Sequence, residues 1–406
     1  MSRDTTPKAV ASVPSTGQAG RMLGIATIGF TVSFWAWALL APLGATLREE
    51  LSLTVFEQSL AVAIPVIVGS LGRIPVGALT DRLGARLMFP TVAGLTILPV
   101  LYLGHLADSF IEVLVAGFFL GLGGTTFAIG IPFVNAWYPP ERRGLALGIF
   151  GMGTGGTALA AFTTVQLSEV LGRAFPFDLV AGILAAFAVT AYFLLRDKPD
   201  RPIQAGSLVG RVLATLRLGV TWQLSFLYAV AFGGFVAFSV YLPTYLVTAY
   251  HLQRSDAGLR TAGFVVLAVA ARPVGGWLSD RLGAVPVLVC CYAIVTVLAL
   301  CAALELALIP VGTLASLGMA AALGAGSGGV FALVAHVVPP ARVGAVTGVV
   351  GAAGGLGGFF PPLVMGGVYS LTGDFSWGYV LLAITAALAG AFTATVIRTR
   401  TKPAAT

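Results

Sequence analysis

Two arginines stand inside apolar runs of this sequence, and their chemistry needs an explanation. Arg73 begins "RIPVGALTDRLG" and Arg272 begins "RPVGGWLSDRLG", and in both segments an aspartate follows eight residues later. A guanidinium group keeps its positive charge at physiological pH, and its planar fork can bond two oxygens of an anion at once. The matched pair therefore predicts a site for a small, flat oxyanion.

The elements that must position this pair follow from composition. The chain is 57% hydrophobic and only 10% charged, whereas soluble domains carry about 25% charged residues. A helix needs about 20 apolar residues to cross a hydrocarbon core of about 30 Å. Twelve such segments predict an all-α membrane protein, with spans at about 22–46, 57–79, 87–107, 109–137, 144–170, 174–196, 219–248, 256–279, 284–306, 311–337, 345–370 and 376–397.

The distribution of basic residues predicts the orientation of these spans. If both termini are cytoplasmic, 17 of the 23 Lys and Arg residues fall on the cytoplasmic side, four in outer loops and two inside spans. Short cytoplasmic loops are the basic ones in membrane proteins, so we expect both termini in the cytoplasm. The net charge of +7 then faces anionic lipid headgroups. Because the basic residues are scattered, a nucleic-acid partner is excluded.

The second half of the chain repeats the first. "YPPERRGLALGIFG" (138–151) matches "VPPARVGAVTGVVG" (338–351), and the offset between the halves is 199 to 200 residues. Such repeats are typical of transporters that hold their substrate between two bundles near mid-membrane. The predicted organisation is a disordered cytoplasmic tail (1–21), a six-helix bundle (22–196), a cytoplasmic linker (197–218), a second six-helix bundle (219–397) and a cytoplasmic tail (398–406).

The depth of the two arginines explains why they need a partner. Eight helical residues rise about 12 Å, which places both side chains near the midplane, where a charge costs at least about 2.5–3.5 kcal/mol. The acidic residues that could neutralise them lie near predicted helix ends: Glu57, Glu169, Asp178, Glu305 and Asp374. We therefore expect an external anion. The alternative is that an arginine reaches a surface or bonds backbone carbonyls opened by Pro75 or Pro273.

Glycine is frequent, at 52 residues, and clusters in spans four, five, ten and eleven. Glycines spaced by about four residues let helices approach closely. The series 148–151–155 and 344–348–351–355 predict smooth faces in the equivalent spans five and eleven, which could slide and line a small site. Tight helix packing alone is the alternative interpretation.

The segment "GALTDRLGAR" (77–86) resembles the loop motif of the major facilitator superfamily, and "GWLSDRLG" is its copy in the second half. The motif joins the second and third helices on the cytoplasmic side. The resemblance implies the twelve-helix fold of that superfamily. Asp81 with Arg82, and Asp280 with Arg281, are expected to pair across helix ends and latch one conformation.

A more specific resemblance is to the nitrate/nitrite porter family within that superfamily. It rests on "GTTFAIGIPFVNAWYPPERRGLALGIFGMGTGG", "GAVTGVVGAAGGLGGFFPPLVMG", "YAVAFGGF" and the two arginine segments. The resemblance implies an anion held between Arg73 and Arg272, with the rings of Phe127 and Phe232 beside it and the Tyr228 hydroxyl in reach. It also implies a gating role for Phe34, beside Trp37 in the first span.

Backbone and small polar groups complete the expected site. Gly151, Gly155, Gly351 and Gly355 are expected to line it. Gly155 stands where the family usually has an asparagine, and Ser327 also stands at a position where family members often have asparagine. Thr154 or Ser327 is therefore expected to supply a substitute hydrogen bond to the anion.

These observations predict a secondary transporter of nitrate or nitrite, working by alternating access, in the inner membrane of a prokaryote. Nitrate/nitrite exchange is slightly favoured over proton symport, because no titratable group lies at mid-membrane. Another small monovalent anion (formate, cyanate or a short carboxylate) is the alternative. An enzyme or a sensor is disfavoured, because no catalytic cluster and no long soluble segment exist. We expect a monomer that needs no cofactor. A metal site is not expected, since Cys290, Cys291 and Cys301 lack metal-ligand spacing.

Overall fold

A computed structural model describes residues 16–198, 208–372 and 376–397. These residues are almost all helical, and none of them forms a β-strand. The first half contains Thr16–Trp37, Gly44–Glu50, Val55–Leu71, Arg73–Leu83, Ala85–His105, Phe110–Leu120, Gly121–Thr125, Thr126–Trp137, Pro140–Arg142, Arg143–Gly151, Met152–Gly155, Gly156–Leu171 and Phe175–Leu194. The second half contains Leu208–Leu216, Gly219–Tyr228, Ala229–Gly233, Gly234–Tyr250, Arg254–Leu282, Ala284–Ala303, Leu308–Gly312, Thr313–Val337, Pro340–Arg342, Val343–Thr372, Ser376–Phe392 and Thr393–Ile397.

Eleven helical segments of the described part are long and apolar enough to cross a membrane, and they coincide with predicted spans two to twelve. The first predicted span is the helix Thr16–Trp37, of 22 residues. At 1.5 Å per residue it is about 33 Å long, enough to cross a bilayer core. The predicted all-α membrane fold is confirmed.

The repeated "DRLG" motif ends two helices in the same way. Gly84 has φ 88° and Gly283 has φ 86°, a conformation that is strained for residues with a side chain. Each glycine turns the chain directly into the next helix, at Ala85 and Ala284. The motif therefore requires glycine at its last position, and it fixes a short connection in both halves.

The two halves contact each other through glycine-rich helices. The second span packs on the eleventh, and the fifth packs on the eighth. A side chain at Gly148 would lie 2.6 Å from the carbonyl oxygen of Arg272 and 2.6 Å from the Cα of Pro273, and Gly348 faces the backbone of Arg73 and Ile74 in the same way. Only glycine allows backbones to approach this closely.

The predicted boundaries can be compared with the described residues. Residues 1–15 of the predicted tail lie outside them, whereas residues 16–21 begin the first helix. The predicted linker contains the helix Leu208–Leu216, which packs against the second and eleventh spans, and residues 199–207 lie outside the described part. The predicted tail 398–406 also lies outside it.

Candidate functional site

Arg73 begins the helix Arg73–Leu83, directly after a break at Gly72 in the second span. Its side chain is 1% exposed. Nε donates to the carbonyl oxygen of Gly124 (3.0 Å), and Nη1 donates to that of Gly351 (2.6 Å). Gly124 belongs to the same half of the chain, but Gly351 lies in the eleventh span. The guanidinium group therefore bridges the two halves.

Arg272 in the eighth span makes the reciprocal contact. Its side chain is 3% exposed, and Nη1 donates to the carbonyl oxygen of Gly151 (2.9 Å) in the fifth span. Nη2 is buried and has no hydrogen-bond partner among the described residues. A buried donor of a charged group that is left unpaired costs free energy. Arg272 can therefore bond an additional acceptor through Nη2.

Carbonyl groups, and not carboxylates, face both charges in this conformation. Within the described residues neither arginine forms an ion pair with a carboxylate. The acids near helix ends have other partners: Glu57 bonds Thr54, Asp178 pairs with His105, and Glu305 accepts from Ser376. Asp374 lies outside the described residues. The expectation of an uncompensated charge is thus corrected for Arg73, because backbone carbonyls of Gly124 and Gly351 compensate it, and not carbonyls opened by Pro75.

Several spans are irregular at this depth, and two of the three carbonyls belong to these places: Gly124 lies within one turn and Gly151 directly before another, whereas Gly351 lies inside the continuous helix Val343–Thr372. Gly121–Thr125 and Met152–Gly155 are 3₁₀ turns, and Ala229–Gly233 is a π-helical turn. Such turns shift backbone carbonyls out of the regular hydrogen-bond ladder. Irregular backbone at membrane depth is tolerated where it lines a protein-enclosed site, which is where these three turns are found.

The predicted aromatic residues come together between the two arginines. Phe127, Tyr228 and Phe232 form a row of near-parallel rings, with centroid separations of 6.0 and 5.1 Å and interplanar angles of 9° and 4°. The Arg73 guanidinium carbon lies 5.2 Å from the Phe127 centroid, and that of Arg272 lies 5.0 Å from the Phe232 centroid. Each charge therefore sits beside one end of the row, at cation–π distance.

Phe34, the expected gating residue, also lies beside Arg73, with its ring centroid 5.8 Å from the guanidinium carbon. It also contacts Trp37 (4.8 Å between ring centroids). Phe331 of the tenth span was missed by the sequence analysis. Its ring stands almost perpendicular to those of Phe127 and Tyr228, at 4.9 and 4.6 Å. It lies in an uninterrupted apolar run, so no local signal distinguished it from a packing residue.

The four expected glycines lie at the site in two different roles. Gly151 and Gly351 face the arginines directly: an added Cβ would lie 3.4 Å from Nη1 of Arg272 or 3.1 Å from Cδ of Arg73. Gly155 faces Val269, and Gly355 faces Ser70. The absence of side chains at these four positions leaves room for the arginines and for whatever binds between them.

The two expected hydrogen-bond donors use their hydroxyl hydrogens within the protein. Thr154 Oγ1 donates to the carbonyl oxygen of Gly151 (3.0 Å), the same oxygen that accepts from Arg272. Ser327 Oγ donates to the carbonyl oxygen of Leu323 (2.8 Å). Both residues are buried, and in this conformation each supports its own helix.

The two aspartates of the repeated motif each lie at the start of a helix in the opposite half. Asp280 accepts from the backbone N–H groups of Gly144 (2.7 Å) and Leu145 (2.8 Å), at the start of the fifth span. Asp81 accepts from Gly344 (3.1 Å) and Ala345 (2.9 Å), at the start of the eleventh. A carboxylate at a helix N-terminus is stabilised by unpaired N–H groups and by the helix dipole.

The expected arginine partners of these aspartates are at the surface. Arg82 and Arg281 are both exposed, and the Arg281 guanidinium carbon lies 4.3 Å from the ring centroid of Trp277. The motif spacing did not predict that the aspartates bond the N-termini of helices in the opposite half. With both aspartates bonded across the interface, the two halves are held together on the predicted cytoplasmic side.

We expect Asp280→Asn to weaken this closure by about tenfold in the ratio of closed to open molecules. The amide can accept only through one oxygen and carries no charge for the helix dipole, a loss of about 1–2 kcal/mol. Distances between spin labels on the predicted cytoplasmic ends of spans five and eight measure the ratio. Asp256→Asn is the control, because Asp256 forms its ion pair within its own helix, with Arg260 (3.1 Å). An unchanged distance distribution in Asp280→Asn would contradict the latch.

Comparison with solved structures shows the fold. The chain superposes on the major facilitator superfamily proton:xylose symporter XylE with a TM-score of 0.76, covering 95% of this chain and 97% of that chain at 17% identity. The human organic anion transporter MFSD10 gives a TM-score of 0.79 over 92% of this chain and 99% of that chain, at 16% identity. At these identities the likeness shows the fold alone: two bundles in the arrangement of major facilitator transporters.

Sequence comparison identifies the family. The Major Facilitator Superfamily model matches residues 26–253 and 224–406. The chain is 49% identical over 381 residues to the probable nitrate/nitrite transporter NarK2 of Mycobacterium tuberculosis, covering 93% of this chain and 96% of the relative. It is 37% identical to the nitrite extrusion protein of Bacillus subtilis, covering 89% and 90%, and 36% identical to the probable nitrate transporter NarT of Staphylococcus carnosus, covering 91% and 94%. The chain belongs to the nitrate/nitrite porter family of the major facilitator superfamily. It is a multi-pass membrane transporter of a prokaryote and not an enzyme.

Proposed function

We propose that this transporter carries nitrate and nitrite across the cytoplasmic membrane by alternating access, with the anion bound between Arg73 and Arg272. The observation that carries the proposal is the arginine pair itself. Two fully buried guanidinium groups, one from each half, face one row of aromatic rings and have no carboxylate partner within the described residues. The names of the relatives, nitrate/nitrite transporter and nitrite extrusion protein, support the same substrates.

The present contacts suggest how binding drives the transport cycle. Arg73 and Arg272 each donate to a glycine carbonyl of the opposite half, and Asp81 and Asp280 close the same interface. An anion that accepts from both guanidinium groups would replace the carbonyls of Gly351 and Gly151. Because those bonds join the two halves, their exchange for bonds to the anion would lower the barrier to rocking.

The lining of the site favours a flat, singly charged anion. Phe127, Tyr228 and Phe232 present near-parallel faces, while Gly151, Gly155, Gly351 and Gly355 keep the space between the helices small. Nitrate and nitrite are planar and can accept two hydrogen bonds from a guanidinium fork. Phosphate and sulfate are tetrahedral and more strongly hydrated, so the ring-lined space disfavours them. Thr154 and Ser327 support their own helices in this conformation. We propose that their hydroxyl groups can rotate and donate a hydrogen bond to the bound anion.

We propose exchange of nitrate for nitrite as the transport mode. An empty carrier keeps its cross-interface arginine bonds, and breaking them without an incoming anion would leave Arg272 without its carbonyl acceptor and Arg73 with that of Gly124 alone, at a cost of several kcal/mol. The return step of the cycle is therefore easier with an anion bound. Proton symport would require a titratable group that binds its proton together with the anion, and His336 and His105 lie near the ends of their helices.

In proteoliposomes, nitrate uptake should depend on nitrite inside the vesicle. We expect at least about tenfold faster uptake with internal nitrite than without any internal anion, because only the loaded carrier returns readily. Labelled nitrate uptake with and without an imposed pH gradient makes the measurement. Rapid uptake driven by the pH gradient into vesicles without nitrite would contradict exchange. Stronger inhibition by formate, cyanate or a short carboxylate than by nitrite would instead favour the alternative small anion.

The remaining assignments follow from the same proposal. We place both termini in the cytoplasm, because most basic residues then lie on the cytoplasmic side, and we assign the protein to the inner membrane. Phe34 is proposed as a gating residue, since its ring lies beside the Arg73 guanidinium group. A single chain supplies both arginines and both aspartate latches, so we propose that the monomer in its lipid membrane is the functional unit.

A further inference from the structure

The hydroxyl group of Ser70 lies at the site, outside the repeated motifs and without a role in the proposed transport cycle. Ser70 lies on the last turn of the helix Val55–Leu71, three residues before Arg73, and it is 0% exposed. Its Oγ donates to the carbonyl oxygen of Val66 (2.7 Å), one turn earlier in the same helix. Such a bond is the usual default of a buried helical serine, so it does not by itself explain why a hydroxyl lies here.

The surroundings of Gly355 connect Ser70 with Arg73. A Cβ placed on Gly355 would overlap Ser70 Oγ and would lie 3.7 Å from Nη1 of Arg73. The hydroxyl oxygen and the guanidinium nitrogen therefore converge on the same small volume beside the eleventh span. Nη1 is also the nitrogen that now donates to Gly351, which is the bond that an incoming anion would replace.

The internal repeat supplies a comparison within the same chain. The residue equivalent to Ser70 in the second half, 199 positions later, is Val269. Val269 occupies the matching place against Gly155, with its Cγ1 3.7 Å from the position of an added Cβ. Packing against a glycine at this position therefore does not require a hydroxyl. The two ends of the site differ: the Arg73 end has a hydroxyl and the Arg272 end has a methyl group.

We propose that Ser70 determines specificity between the two anions of the proposed function, on which this inference rests. When Arg73 releases Gly351, the Ser70 hydroxyl turns from the Val66 carbonyl and donates to an oxygen of the bound anion. Rotation about one side-chain bond suffices, and the Val66 carbonyl keeps its backbone hydrogen bond within the helix. Two guanidinium groups can occupy both oxygens of nitrite, whereas nitrate has a third oxygen that needs another donor. The hydroxyl therefore favours nitrate over nitrite.

The test compares Ser70→Ala with Val269→Ala in proteoliposomes loaded with nitrite. We expect Ser70→Ala to raise the KM for nitrate by about tenfold, the effect of one lost hydrogen bond to a charged group, and to change the KM for competing nitrite less than twofold. The maximal rate should stay near that of the wild type. Val269→Ala removes methyl groups from the equivalent position and should leave the ratio of the two KM values unchanged.

The outcomes separate this inference from the proposed function. If the wild-type protein transports neither nitrate nor nitrite into vesicles, both the proposed function and the role of Ser70 are overturned. Wild-type transport together with an unchanged ratio of nitrate KM to nitrite KM in Ser70→Ala would overturn the role of Ser70 alone, and so would an equal shift of the ratio in Val269→Ala. Ser70→Cys has nearly the volume of serine but donates only weakly. It should reproduce the shift, and it provides the same comparison if Ser70→Ala fails to fold.

Discussion

Replacing Arg73 or Arg272 with lysine should lower the ratio of maximal rate to KM for nitrate uptake by about 100-fold in each single variant. Lysine keeps the positive charge but removes the planar fork, so it cannot bond two anion oxygens in one plane. Hydrogen bonds to a charged group contribute about 1.5–3 kcal/mol each, and each 1.4 kcal/mol corresponds to a factor of ten. The loss of one to two such bonds gives the expected magnitude. Labelled nitrate uptake over a range of concentrations measures it.

The two arginine variants should also differ from one another. Arg73 donates to two carbonyl oxygens, those of Gly124 and Gly351, whereas Arg272 donates to one carbonyl oxygen, that of Gly151. Arg73→Lys should therefore lower thermal stability more than Arg272→Lys, and melting of the purified protein in detergent reports this difference. Arg48→Lys, at an exposed position, is the control and should behave as the wild type. Normal KM and maximal rate in both buried variants would disprove recognition by the guanidinium fork.

Gly148→Ala should abolish transport, with at least about a 100-fold loss of uptake, because the two halves can no longer close on the predicted cytoplasmic side. The new methyl group would lie 2.6 Å from the carbonyl oxygen of Arg272, 2.6 Å from Cα of Pro273 and 2.9 Å from the carbonyl carbon of Arg272. All three atoms belong to the backbone, so no side chain can rotate away. The fifth and eighth spans must then separate, and the latch formed by Asp280 must break with them.

The matched control is Gly182→Ala in the sixth span, where an added Cβ meets nothing within 4 Å. It should transport as the wild type, and replacing glycine within a helix can even stabilise the protein slightly. Gly148→Ala should still fold, since the packing within each half remains intact, and spin-label distances should report a molecule trapped open on the predicted cytoplasmic side. Transport by Gly148→Ala at the rate of Gly182→Ala would show that the close approach of these helices is not needed.

Much of the site was predictable because its chemistry is local to short segments. The number of residues between an arginine and the end of its helix gives the depth of that arginine in the membrane. The repeat showed that Arg73 and Arg272 are equivalent. The aromatic residues Phe127, Tyr228 and Phe232 followed from resemblance to a family, and the structure places them between the arginines. Phe331 and Ser70 were not predictable, since a phenylalanine in an apolar helix and a serine in a membrane span are most often packing residues.

The role of the loop motif was predictable only in part. Its spacing indicated a connection at a helix end and a conformational latch involving Asp81 and Asp280. The bonded partners proved to include the backbone N–H groups of helices that begin at Arg143 and Val343. Every residue type except proline offers a backbone N–H, so the sequence of the partner helix contains almost no signal for this contact.

The amino-acid sequence by itself determined that this protein is a two-bundle membrane transporter with a matched pair of mid-membrane arginines, because hydropathy, charge bias and internal repeats are properties of the chain that need no knowledge of contacts. The tertiary structure alone decided what those arginines bond to. The bond from Arg73 to Gly351 joins residues 278 positions apart, and that from Arg272 to Gly151 joins residues 121 apart. The acceptors are backbone carbonyls, which every residue carries, so only the packing of one half against the other selects which of them face the charge.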